Sequence, residues 1–189
     1  MSHLWGMDSA YPKSADEFAS LAGQGIGFYG GYVGGSALHT WSKDDFAALA
    51  ASGMKILAYW VGPLGTDPGY DQGVSDGNAC LSALQERGLS GWVVDDAESG
   101  VVRRQWSQGF VDALHAGSCS VRVYGSPDTL KGMGDIYDSW YLAWYPTSGM
   151  AAQTFLNEII DWDVWQFASG PDVDYNVARD DIPFTDFNA

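Results

Sequence analysis

Positive charge is scarce in this sequence. Nine Lys and Arg residues stand against 24 Asp and Glu, a formal net charge of −15. Binding to nucleic acid depends on clustered Lys and Arg against phosphate, and Arg103 and Arg104 are the sole adjacent basic pair. Nucleic acid and anionic membrane surfaces are therefore argued against as partners. No apolar run approaches the ~20 residues of a membrane-spanning helix. Cysteine is also sparse: Cys80 and Cys119 show neither CxxC nor metal-ligand spacing. One disulfide would satisfy them, but two unpaired buried thiols fit better, and no metal is expected. Met1-Ser2-His3-Leu4 lacks the basic region and long apolar run of an export leader, so no signal peptide is expected.

What the sequence does hold is apolar and aromatic residue. Hydrophobic residues make up 46% of the chain and charged residues 17%, with nine Trp and ten Tyr, the profile of a globular protein. Its 189 residues suffice for one core, and neither repeat nor linker interrupts them, so a single domain over 1–189 is expected. Strand-like runs alternate with helical stripes. Leu4–Asp8 reads as a strand, then Ser14 with Glu17 forms a capping box before a helix to about Gly23. The glycine-rich strand 25–33, a helix over Trp41–Ser52 and the apolar strand Lys55–Val61 follow. The glycines of 25–33 suggest close approach of backbone or ligand. A helix over Gln72–Arg87 precedes the strand at 91–96, and Val101–His115 is helical again. Strands are expected at Val121–Gly125, Trp140–Tyr145, Asp163–Phe167 and Val173–Val177, with a short helix near Pro127–Lys131 and a weaker one near Ala151–Ile159. Eight strands in this order predict an α/β fold, a (β/α)8 TIM-like barrel whose helices are clipped or missing in the C-terminal half.

The stretch Gly91-Trp92-Val93-Val94-Asp95-Asp96-Ala97-Glu98 organises the rest. It begins as a buried strand and ends in three carboxylates, which an apolar core does not take for stability. Side chains at i and i+2 share a face, so Asp96 and Glu98 point one way while Asp95 and Ala97 point the other. Their Cα separation of ~6.6 Å permits the ~5–9.5 Å carboxyl spacing of glycosidases. Parallel barrels place their sites at the C-terminal strand ends, where Asp8, Asp96, Glu98 and Asp174 gather, with Tyr124, Tyr145 and Gln166 nearby. Crowded carboxylates push one pKa upward and supply a protonated acid. Glu98 is the candidate proton donor, and Asp96 the ionised partner. Trp60, Trp144 and Trp165 are candidates for the walls of a sugar groove, although each taken singly fits core packing better. His39 and His115, with no partner at catalytic or metal spacing, are read as surface or helix-end residues.

Gly6-Met7-Asp8-Ser9, Asp96-Ala97-Glu98 after an apolar strand, Trp144-Tyr145, Trp165-Gln166-Phe167 and Val173-Asp174-Tyr175-Asn176 recur in this order in a known family. Over nearly its whole length the chain resembles glycoside hydrolase family 25, the lysozymes that cut peptidoglycan between N-acetylmuramic acid and N-acetylglucosamine. Its first third, with Tyr32 on the second strand, also resembles the glycoside-hydrolase-like domain of unknown function 1906. The resemblance implies a retaining, substrate-assisted reaction with no metal or cofactor. Glu98 would be the general acid, Asp96 would assist the substrate's acetamido group, and Asp8 and Asp174 would flank them. Tyr32, Trp60, Tyr124, Trp144, Tyr145, Trp165 and Gln166 are expected to bind the substrate. The family's usual run after the first strand is replaced here by Ser9-Ala10-Tyr11-Pro12, and Asp95 is an added acid. The expected partner is a cell-wall polysaccharide, for a phage-encoded lysin or virion-associated enzyme held in the virion or host cytoplasm until it acts at the wall. The alternative is a non-catalytic structural or adhesive domain that binds glycan or virion proteins.

Overall fold

The structure, a computed structural model, describes residues 2–97, 102–143 and 162–188. Eight strands close into a barrel: β1 (His3–Asp8), β2 (Ile26–Gly35), β3 (Lys55–Val61), β5 (Trp92–Asp96), β6 (Ser120–Gly125), β7 (Ser139–Ala143), β8 (Trp162–Ser169) and β9 (Asp174–Arg179). Helices α1 (Ala15–Gly23), α2 (Lys43–Ala51), α3 (Tyr70–Glu86), α4 (Arg104–Ala116) and α5 (Pro127–Met133) lie between strands. A two-stranded ribbon of β4 (Leu89–Ser90) and β10 (Asp186–Phe187) stands outside the barrel. The TIM-like α/β fold expected from the sequence is therefore present, with one change. Strand β9 runs antiparallel to both β8 and β1. Only Gly170 to Val173 separates it from β8, and a parallel crossover needs a dozen residues or more. The reversal places the first residue of β9, Asp174, on the rim where the other strands end.

Strand parity divides the core in two. Phe28, Leu57, Tyr59, Val94, Tyr124, Tyr141, Val164 and Ala178 pack inside the barrel. Tyr29, Ala58, Trp60, Val93, Val121, Val123 and Leu142 face the helix layer with Phe18, Phe46, Trp106 and Phe110. The tail beyond β9, to which the sequence patterns assign no element, closes the far end. Ile182 and Phe184 join the interior cluster, and the Thr185 hydroxyl accepts from Ala58 N–H and donates to Trp92 C=O. The glycines of β2 serve aromatic packing. A Cβ at Gly30, Gly31 or Gly34 would fall 2.1, 2.4 or 2.5 Å from the rings of Tyr59, Trp41 and Trp60 respectively.

The helix starts follow local chemistry. Ser14 with Glu17 forms the expected capping box on α1, and Ser42 with Asp45 a second one on α2. Helix α4 has no side-chain cap of its own. Asp67, from the loop before α3, accepts from the Gln105 and Trp106 amides at 2.9 and 3.1 Å, and from Gly69 N–H at 2.9 Å. Burial would raise the Asp67 pKa, but those three donors and nearby Arg103 hold it below the usual carboxylate range. A carboxylate with a lowered folded pKa adds stability above its unfolded value, near 3.9, that is lost as pH falls through the folded one. Asp67→Asn removes the negative charge at the α4 N-terminus and is therefore expected to cost about 0.3–1 kcal/mol at pH 7. In urea titrations from pH 7 to pH 2 the gap between variant and native protein should close below about pH 4.

Cys80 and Cys119 are free and buried. Burial pushes the first thiol well above its ordinary pKa and the second up to about 12, so neither is a ready nucleophile. Among the described residues, no helix is long and apolar enough to cross a membrane.

Candidate active site

At the C-terminal rim three acids from three strands converge. Asp8 ends β1, Asp96 ends β5 and Asp174 begins β9; with Tyr32, Tyr59, Tyr124 and Gln166 they line one narrow pocket. Asp8 and Asp174 are direct partners in the β1–β9 ladder, which sets their Cα atoms ~4.5–5.5 Å apart. Like charges placed opposite one another destabilise a sheet, and Asp8 and Asp96 are 5% and 6% exposed. Such an arrangement works against stability and makes the pocket the candidate functional site.

Beneath the acids lies a layer of phenols and one amide. The Asn176 amide donates to Asp8 Oδ2 at 2.7 Å. The Tyr141 hydroxyl lies 2.6 Å from Asn176 Oδ1 and 3.3 Å from the same Asp8 oxygen, and it accepts from the Tyr59 hydroxyl at 3.0 Å. Burial first, then the Asp8 charge, raises Tyr59 well above an ordinary phenol; burial, then Tyr59 and Asp8, does so for Tyr141. Both phenols therefore keep their protons and serve as donors. Tyr32 lies over Tyr59 with ring centroids 5.3 Å apart and donates to Asp96 Oδ2 at 3.4 Å. The cavity thus grades from an apolar floor through a tyrosine layer to a carboxylate rim.

Two wider depressions flank the pocket. One, about 380 Å³, lies against Tyr11, Tyr32, Leu38, His39 and Asp96. The other, about 240 Å³, lies against Asp8, Tyr11, Tyr32, Asp174 and the turn at 170–173. Between them the Tyr11 ring lies tilted against His39, centroids 4.3 Å apart, and its hydroxyl hydrogen-bonds to His39 at 2.7 Å. His39 is thus exposed, as expected, but on the groove edge. His115 lies at the end of α4, paired with Asp138 at 2.9 Å.

The structure brings Asp8, Asp96, Asp174, Tyr32, Tyr124 and Gln166 together, and it places two other candidates elsewhere. Trp60 lies on the outer face of β3, 7% exposed, against Gly34 and Phe110. Trp165 is likewise buried in the outer core, beside Trp162 and Phe167. Glu98, Trp144 and Tyr145 lie outside the described residues, as does the helix expected near Ala151–Ile159. Tyr59, Tyr141 and Asn176 also belong to the site, and the sequence reading gave none of them a role there. Asn176, two positions after Asp174 on one strand, was open to the period-2 rule.

Asp95 turns away from the pocket, as strand parity requires, and is fully buried with Arg103 at 2.7 Å. Burial raises its pKa, against the opposing influence of Arg103 and of Tyr137, whose hydroxyl donates to the second oxygen. Among the described residues, no three His, Cys, Asp or Glu side chains are arranged to hold a metal ion.

This barrel has counterparts among solved structures. The chain has the fold of the family 25 lysozymes. A family 25 lysozyme from Aspergillus fumigatus is 16% identical with a TM-score of 0.61, covering 92% of this chain and 93% of that one. The CTP1L endolysin is 18% identical with a TM-score of 0.71, covering 94% of this chain and 67% of its own. An uncharacterized protein of B. stearothermophilus is 17% identical with a TM-score of 0.72, over 94% and 96% of the two chains. No protein-family model matches the sequence, so the narrower resemblance to domain 1906 gains no support. No curated protein matches it either. At these identities the family 25 likeness is one of fold, and the residues must carry the chemistry.

Proposed function

We propose that the protein is a lysozyme-type glycoside hydrolase acting on peptidoglycan. The observation that carries this reading is the convergence of Asp8, Asp96 and Asp174 in one pocket of a family 25 barrel. Opposed carboxylates at the mouth of a closed barrel suit a reaction that develops positive charge on a sugar ring. Asp96, with the Tyr32 hydroxyl on Oδ2, would orient the acetamido group or stabilise that charge. Asp8, fixed by Asn176, and Asp174 would flank the reacting carbon. Glu98, two residues beyond Asp96, would protonate the leaving oxygen. The pocket between the acids, about 20 Å³, admits a substituent or a water rather than a ring. The pyranose rings would therefore lie above it, in the depressions divided by Tyr11 and His39.

The likeness to an endolysin supports a phage lysin or virion-associated role at the cell wall, with virion proteins as further partners. A second reading, a glycan-binding or structural domain without turnover, is favoured by the net charge of −15, which is poorly matched to an anionic wall. Incubating the native protein with purified peptidoglycan separates the two. Hydrolysis generates new reducing ends in the supernatant. Binding alone carries the protein down with the walls and generates none.

A further inference from the structure

The buried cluster behind Asp96 is a poor device for stability. Desolvating an ion pair costs several kcal/mol per ion, and apolar replacements of equal volume are often neutral or better. Here Arg103 and Asp95 side chains are 1% and 0% exposed, and Arg103 Nε and Nη1 have no hydrogen-bond partner among the described residues. Each unpaired buried donor adds a further penalty. Stacking of the guanidinium on Trp106, 4.7 Å to the centroid, offsets a part of this.

What the cluster does supply is geometry. Arg103 Nη2 donates to Asp95 Oδ1 at 2.7 Å and reaches the Asp96 carbonyl at 3.4 Å. The same carbonyl accepts from Gly62 N–H at 3.4 Å, and Ala97 N–H donates to Tyr124 C=O at 2.9 Å. A Cβ at position 62 would lie 2.2 Å from Arg103 Nη2, so any other residue there would displace the guanidinium. Tyr137 holds the other Asp95 oxygen from beyond α5. Arg103 is also the residue from which α4 departs. The end of β5, the start of α4 and the peptide of Asp96 are thereby tied at one point.

We propose that Asp95, Arg103 and Tyr137 form a clasp that positions the Asp96 carboxylate, making them positioning residues for the hydrolysis. The inference rests on the reading of the rim as a hydrolase site. Asp95, the added acid of the Asp95-Asp96 pair, then has a role distinct from chemistry: it holds the strand end whose other face presents Asp96.

The test compares native protein with the double variant Asp95→Leu/Arg103→Met, which replaces the pair by apolar groups of similar bulk. Tyr137→Phe is the milder second variant, in case the double variant does not fold. Four quantities are measured: thermal midpoint, kcat and KM on peptidoglycan, and amide exchange at Gly62 and Ala97. The clasp predicts a folded protein whose kcat falls about 10–100-fold, as small misplacement of a reacting group does. KM should change less than about threefold, and both amides should exchange at least tenfold faster. Tyr137→Phe should move the same quantities in the same directions by a smaller factor. Native kcat and native exchange in a folded double variant, or in Tyr137→Phe if the double variant does not fold, would overturn it. Should the native protein itself release no reducing ends, the hydrolase reading fails separately. Amide exchange then decides whether the clasp orders Asp96: acceleration supports it and unchanged exchange refutes it.

Discussion

Asp96→Asn is expected to lower the rate of peptidoglycan hydrolysis by about 10²–10³-fold, the usual cost of losing a preorganised electrostatic group at a reacting centre. Asp96 is 6% exposed, at the end of β5, in the same pocket as Asp8 and Asp174. Asparagine keeps its size and can still meet the Tyr32 hydroxyl, so substrate should bind about as well. Loss in kcat with little change in KM is the pattern of an interaction made chiefly in the transition state. The same change removes one of several like charges confined at the rim. Relief of that repulsion should stabilise the protein by about 0.5–2 kcal/mol, as expected where activity and stability are in conflict. Calorimetry beside kinetics checks both. A variant that is less stable and fully active would contradict the assignment of Asp96.

Gly109→Ala is expected to destabilise the fold by about 2–4 kcal/mol, and Gly73→Ala by a similar amount. In an isolated helix either change would add about 1 kcal/mol of stability, because glycine is the poorer helix former. Here the sign reverses. Helices α3 and α4 cross with their backbones in near contact. A Cβ on Gly109 would lie 2.2 Å from Tyr70 C=O, and one on Gly73 2.1 Å from Trp106 C=O. Gly77 completes the seam, its Cβ position 2.7 Å from that of Ala113. These neighbours are backbone or buried, so the helices must part to admit a methyl group. Helix α4 carries Trp106 and Phe110 into the outer core, and separating it disturbs the packing around Trp60. At ~2–4 °C per kcal/mol for a chain this size, thermal midpoints should fall by about 4–16 °C. Unchanged midpoints would mean that the two helices do not meet as closely as described.

The barrel was legible because buried strands announce themselves. Lys55–Val61 is an apolar run and Gly91–Asp96 an apolar run ending in acids, and both became strands in register with one another. The parity of Asp95 and Asp96 was legible too, since adjacent strand residues face opposite ways whatever the fold. Parity in a fully apolar strand was not. Tyr59 and Trp60 are neighbours of similar bulk, and nothing local says which enters the barrel. Tyrosine went inward, where its hydroxyl meets Tyr141. Tryptophan went outward onto Gly34. The direction of β9 could have been read from the four residues that precede it, too few for a crossover. The Thr185 contacts that seal the barrel floor join positions 127 and 93 residues apart, and no local pattern encodes them. The same holds for Arg103, whose tie to Asp95 becomes visible only once the start of α4 lies against the end of β5.

The decisive property is whether the acidic rim cleaves the glycan strand, and at which linkage. Purified peptidoglycan should be digested with the native protein and with Glu98→Gln, the products reduced with borohydride, and the new sugar alcohols identified by mass spectrometry. Muramitol is expected from the native protein and at least about 10²-fold less from the variant. No new alcohol from the native protein, or equal yields from both, would contradict the hydrolase reading; glucosaminitol in place of muramitol would contradict the assigned linkage.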